Sequence, residues 1–69
     1  MRAFAENLLH LRYDKGLSDK ELGAMCGKHD SDICKYENDR MTPNIYTAKR
    51  IADALGVTLD AMLRSNPHV

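Results

Sequence analysis

Between Cys26 and Arg40 the chain gathers thiols, an imidazole, carboxylates and cations: Cys26, Lys28, His29, Asp30, Ser31, Asp32, Cys34, Lys35, Glu37, Asn38 and Arg40. Cys26, His29 and Cys34 could ligate a metal, but their spacing matches no closed tetrahedral site and no fourth ligand is evident. Asp30 and Asp32 could accept hydrogen bonds from a partner, and Lys28, Lys35 and Arg40 could hold anions. Catalysis has little to work with. The chain contains no H-E-x-x-H, no P-loop and no G-x-S-x-G, and its three histidines are scattered. So small a core also leaves little room for a substrate pocket. The expectation is a chain that is not an enzyme and uses no cofactor, metal or small-molecule substrate.

What must position those side chains is a series of short helices. Phe4, Leu8 and Leu11, with Ala5 and Leu9 beside them, recur at helical spacing from Arg2 to about Tyr13 and leave Glu6, Asn7 and His10 on the wetter sides. Gly16 marks the end of this first helix. Ser18 with Glu21 three residues later forms a capping box, so a second helix runs from about Asp19 to Cys26 and stops at Gly27. Ile33 and Tyr36 are spaced to face inward together on a third helix, about Asp30 to Glu37. After the break at Pro43, Ile45, Ala48, Ile51, Ala52 and Leu55 form an apolar stripe that ends at Gly56. Thr58 caps a last short helix through Leu63, with Leu59, Met62 and Leu63 as its apolar residues. Strand signals and repeats are absent. The fold class is therefore all-α, a compact five-helix bundle, with residues 1–64 as the domain and 65–69 as a flexible tail.

Two helices joined by a turn of three or four residues make a helix-turn-helix when small residues meet at the crossing and the second helix has an apolar anchor. Gly23 supplies the small residue, Gly27 the turn, and Ile33 the anchor. The motif spans about 18–37.

The segments "KGLSDKELGAMCG", "SDICKYEN" with Pro43, and "IADALGVTLDAML" stand in order and at the right spacing. Together they resemble the Cro and phage-repressor type helix-turn-helix domains, the xenobiotic-response-element family, from about Leu8 to Leu63. The resemblance implies a lambda-repressor-like DNA-binding domain whose third helix is the recognition helix. By the same resemblance Lys28, Asp30, Ser31, Asp32 and Lys35 face bases or phosphates, while Asn38 and Arg40 touch the backbone from the following loop. Glu37 matches a family glutamate that pairs with a basic residue of helix one, here Arg12. Asp19 departs from the family's glutamine, which holds a phosphate at the start of helix two; a carboxylate there should repel it, with Lys20 in a position to compensate. Asp39 replaces the usual glycine after helix three, a position where Asp tolerates the left-handed conformation better than most residues.

Charge sets a condition on this reading. Ten basic and ten acidic residues cancel over the chain, so no bulk field steers it toward nucleic acid. From Ser18 to Pro43 four basic residues (Lys20, Lys28, Lys35, Arg40) face six acidic ones (Asp19, Glu21, Asp30, Asp32, Glu37, Asp39). Asp30 and Asp32 have two readings: they oppose the dipole at the start of a helix, or they accept hydrogen bonds from the N4 amino group of cytosine. In the second, the cations hold phosphates on either side while the carboxylates read base edges between them.

The functional expectation is a sequence-specific regulator of transcription, a repressor, that inserts helix three into the major groove of double-stranded DNA. With so few contacts per chain, it would act as a homodimer on a palindromic operator. By resemblance the dimer surface lies on helix five and the tail, with Met62, Leu63 and Val69 as apolar contacts; alternatively Leu59, Met62 and Leu63 close the monomer core. A rival from another class is a scaffold for protein contact, an antirepressor or adaptor whose acidic helix-three face docks on a basic partner. Cys26 and Cys34 read as reduced thiols, Cys26 packed beneath the turn and Cys34 more exposed. No apolar run approaches the roughly 18 residues of a membrane span, so a soluble intracellular protein is expected, and the resemblance implies a cytoplasmic, nucleoid-associated one of bacterial or phage origin.

Overall fold

Local hydrogen bonding at the helix ends accounts for most of the element boundaries. The computed structural model describes residues 2–64, which form α1 (Arg2–Asp14), α2 (Asp19–Cys26), α3 (Asp30–Glu37), α4 (Ile45–Ala54) and α5 (Leu59–Leu63). The expected tail, 65–69, lies outside the described residues.

Ser18 opens α2 as a complete capping box: its hydroxyl accepts from the Glu21 N–H at 3.0 Å, and its own N–H donates to Glu21 Oε1 at 2.9 Å. Asn44 and Thr58 cap α4 and α5 in the same way, accepting from Thr47 N and Ala61 N. Of the helices whose N-cap residue is described, α3 alone starts without a side-chain cap, because His29 makes no such bond. The far ends share one device. After α1, α3 and α4 the chain reverses through paired bonds such as Arg40 N to Lys35 O at 2.9 Å and Asp39 N to Tyr36 O at 3.2 Å. At the end of α3 the left-handed residue is Asp39, with φ 56°, as its sequence position implies.

The helices enclose one core of Phe4, Leu8, Leu22, Cys26, Ile33, Tyr36, Ala48, Ile51, Ala52, Leu55 and Met62. Each helix contributes one face, which is how 69 residues bury a continuous apolar interior. Three expectations change on packing. Ile45 belongs to the α4 stripe by spacing but is 68% exposed, because it sits in the first turn of α4, beside the open groove that α4 forms with Leu59 and Leu63. Met62, expected by resemblance on a dimer surface, is fully buried, since α5 lies against both α1 and α4. Its alternative reading, closing the core, is the observed one. Asn7 does not face solvent freely: its Nδ2 donates to the carbonyls of Met62 at 2.9 Å and Arg64 at 2.8 Å, and so satisfies the C-terminal end of α5.

Candidate nucleic-acid interface

The helix-turn-helix is held by a close backbone approach. An ideal Cβ on Gly23 would stand 2.6 Å from the carbonyl oxygen of Lys28, a distance only glycine permits. Gly27 ends α2 at φ 71° in the left-handed region, where other residues are strained, and the Lys28 N–H then donates to Gly23 O at 2.8 Å. Ile33 is fully buried and Tyr36 nearly so. Burial also pushes the Tyr36 hydroxyl above its ordinary pKa, with the Asp32 carboxylate adding to it. These two anchors turn the opposite side of α3 outward.

On that outer side Asp30, Ser31, Cys34, Lys35 and Asn38 are exposed, and Asp32 is half-buried. No other part of the described chain covers the exposed five. Lys28 is half-buried at the turn, while Lys20 at the start of α2 and Arg40 after α3 are exposed. Among the described residues no ion pair engages Lys20, Lys28, Lys35 or Arg40, so their charge is available to a partner. Asp30 has one oxygen committed locally, its Oδ1 accepting the Ser31 N–H at 2.8 Å, which fits the helix-start role. Asn38 folds back: its Nδ2 donates to Cys34 O at 2.8 Å. His29, exposed at the head of α3, adjoins the same face; its position just before α3 was the signal that could have placed it among the candidates.

Beneath this face lies a charged cluster. Arg12, on α1, donates through Nε to Glu37 Oε2, through Nη2 to Glu37 Oε1 at 3.3 Å, and through Nη1 to Leu17 O at 2.8 Å. Its guanidinium also lies 4.7 Å over the Tyr13 ring. The Arg12–Glu37 pair expected from resemblance is therefore present, tying α1 and the α1–α2 loop to the end of α3. Asp19 joins it, which the residues alone scarcely announced. Asp19 Oδ1 lies 2.9 Å from Arg12 Nε, so one oxygen of this carboxylate is turned onto an internal cation. Its position as first residue of α2, one helical end away from Glu37, was the only available hint.

Cys26 is buried and Cys34 exposed, as expected. Burial raises the Cys26 thiol pKa, with Arg50 opposing, which keeps it in the unreactive thiol form. Among the described residues no three His, Cys, Asp or Glu side chains converge to hold a metal ion, so Cys26, His29 and Cys34 do not assemble. None of the described helices is long and apolar enough to cross a membrane.

An apolar groove lies away from α3, between α4 and α5. Its volume is about 240 Å³ and its walls are Thr42, Pro43, Ile45, Ala48, Leu59 and Leu63. Ile45 is exposed there, and so is Leu63 at 47%, with Tyr46 (78%) next in sequence. Of the expected dimer contacts, Leu63 remains outside, Met62 is withdrawn into the core, and Val69 lies outside the described residues.

The same arrangement recurs in solved structures. The chain matches the P22 c2 repressor protein, solved in complex with synthetic operator 9T, at a TM-score of 0.86 and 22% identity over 91% of this chain and 96% of that one. It matches the restriction-modification controller protein C.AhdI from Aeromonas hydrophila at 0.85 and 24%, over 90% and 94% of the two chains. A hypothetical transcription factor, NHTF, from Neisseria matches at 0.89 and 28%, over 97% of this chain and 76% of that one. No curated protein sequence matches the chain. The family model described as helix-turn-helix aligns with residues 10–62, the stretch that holds the Gly23–Lys28 crossing, the outward face of α3 and the packing of α4 and α5. The chain belongs to the helix-turn-helix family, of the Cro and phage-repressor type.

Proposed function

We propose that the chain is a sequence-specific double-stranded DNA-binding regulator of transcription that acts by occupying an operator as a repressor. One observation carries this reading: α3 is clamped by Ile33 and Tyr36 while its outer face stands uncovered. A helix so presented is free to lie in a major groove, with its first residues at the base edges. Lys28 and Lys35 flank the face, and Lys20 and Arg40 stand beyond it; these cations would hold phosphates. Ser31 with the carboxylates of Asp30 and Asp32 would meet base edges, the carboxylates favouring cytosine N4.

The operator-binding form in this reading is a homodimer. The Ile45–Leu63 groove is the apolar surface offered for it, and a two-fold pairing would set two α3 helices about 34 Å apart on a palindrome. A patch of so few side chains falls short of the ~800 Å² per partner of a stable interface, so pairing would be weak in solution and completed on DNA.

The charge count from Ser18 to Pro43 favours a second reading, in which Asp30 and Asp32 dock on a basic protein. A titration against mixed-sequence duplex DNA at low salt separates the two. Binding that weakens steadily as salt rises supports the regulator, because each neutralised phosphate releases counterions. No binding at low salt, with a tight complex to a basic protein, supports the scaffold.

A further inference from the structure

The nitrogen at the centre of the buried cluster has one hydrogen and two claimants. Arg12 Nε directs it to Glu37 Oε2. Asp19 Oδ1, 2.9 Å from the same nitrogen, is buried and receives no hydrogen bond. It has the electrostatic attraction of the guanidinium without a donor. The Glu37 side chain is only 5% exposed and that of Asp19 29%, so two carboxylates and one guanidinium would leave one surplus negative charge, with the Glu37 carboxylate and Asp19 Oδ1 held away from water. Desolvation and like-charge repulsion both disfavour that state.

We propose that Asp19 and Glu37 form a proton-binding site, sharing one proton that gives Asp19 Oδ1 its missing donor, and that a DNA phosphate arriving at the start of α2 drives this proton in. The second half rests on the DNA-binding reading above. A proton held between the two carboxylates removes the surplus charge without disturbing the bonds from Arg12 Nη1 to Leu17 O or from Nη2 to Glu37 Oε1. A phosphate near Asp19, the first residue of α2, adds negative charge to the pair and makes the doubly ionised state costlier still. The start of α2, where a carboxylate would repel the nucleic-acid backbone, thus tolerates it once the pair has taken up the proton.

The Glu37 carboxyl is raised from its ordinary value for these reasons: burial contributes most, the hydrogen bond and charge of Asp19 add to it, and Arg12 opposes. Besides Arg12, which faces both carboxylates, the charged groups in the hollow beside Glu37 are Arg2, Glu6 and Asp39. The nearby cation Arg2 works against proton uptake, and the acids Glu6 and Asp39 work for it. A folded carboxyl pKa above the unfolded one means that the folded state binds more protons between the two values. Its contribution is greatest below the unfolded pKa, near 4.5, and is lost as pH rises through the folded value.

The test uses the full chain with His10→Gln, His29→Gln and His68→Gln, so that no imidazole titrates in the window. Carbon NMR of the Glu37 side-chain carboxyl is followed against pH in this protein and in its Asp19→Asn variant. The expected result is a Glu37 midpoint above 4.5 that falls when Asp19 becomes Asn. A midpoint at or below 4.5, or one indifferent to Asp19→Asn, overturns the shared proton. Duplex affinity is then measured from about pH 7.5 to 5.5. It should tighten by at most about tenfold per pH unit, the limit for one proton, and Asp19→Asn should flatten the dependence. A flat profile in the parent overturns the coupling to DNA. Absence of any duplex binding at low salt, with the Glu37 titration as expected, overturns both the coupling and the DNA reading while the proton site stands.

Discussion

Gly23 and Lys28 meet twice: the Lys28 N–H donates to the Gly23 carbonyl at 2.8 Å, and the Lys28 carbonyl oxygen lies 2.6 Å from where a Gly23 side chain would begin. The turn of the motif is therefore built on backbone touching backbone, with no flexible side chain to yield. Gly23→Ala should destabilise the domain by about 1–3 kcal/mol, the usual cost of forcing an extra methyl into a packed contact. Urea unfolding of the variant beside the parent measures it, and an unchanged midpoint would mean that the turn can open at no cost.

Lys35 and Arg40 are exposed and hold no ion pair among the described residues, so their removal should leave folding nearly untouched, within about 0.5 kcal/mol. Lys35→Ala and Arg40→Ala should instead weaken duplex binding across all sequences and lower the slope of log affinity against log salt by about one each. Anisotropy titrations at several salt concentrations read both quantities. A variant that loses affinity with its slope intact would place that cation away from the phosphates.

Asp30 and Asp32 separate by a different measurement, the sequences recovered from a random duplex pool. Asp30→Asn and Asp32→Asn should shift the preferred bases, because an amide offers a donor where the carboxylate offered only acceptors. Uniformly stronger binding with the same preferred sequence would reduce both to charges that stabilise the start of α3.

At the groove between α4 and α5, Leu63→Lys and Ile45→Lys should leave the monomer's stability little changed, since both positions are exposed. They should abolish self-association in sedimentation at high concentration and weaken binding to a two-half-site duplex more than to a single half-site. Equal losses on both duplexes would argue against pairing through this surface.

The capping box gives the acid limb of stability a defined sign. The Ser18 N–H holds the Glu21 carboxyl below its ordinary value, with the Ser18 side chain contributing next. The unfolded chain therefore takes up this proton first. Stability from the box is present above the unfolded value, near 4.5, and is lost as pH falls through the depressed folded value. Melting temperatures from about pH 5 down to about pH 3 should fall less steeply in Glu21→Gln than in the parent. Parallel curves would show that the carboxylate leaves the box in solution.

The helices themselves were legible in the residues because a helix is bounded by bonds only three to five positions long. Ser18 with Glu21, the glycines after α1, α2 and α4, and Thr58 before α5 each announce such a boundary, and the α3 start and end fell where Ile33 and Tyr36 required. The motif was legible for a related reason, since its crossing depends on two glycines and one anchor within a dozen residues. What packing alone decided lies between positions far apart in the chain. Asp19 turns inward because Arg12 of another helix is there to receive it, and Asn7 caps α5 from 55 residues away. Met62 is inside, and Ile45 outside, because of which helices happen to lie against them. Periodicity says which side of a helix is apolar; only the arrangement of its neighbours says how far along that side the cover extends.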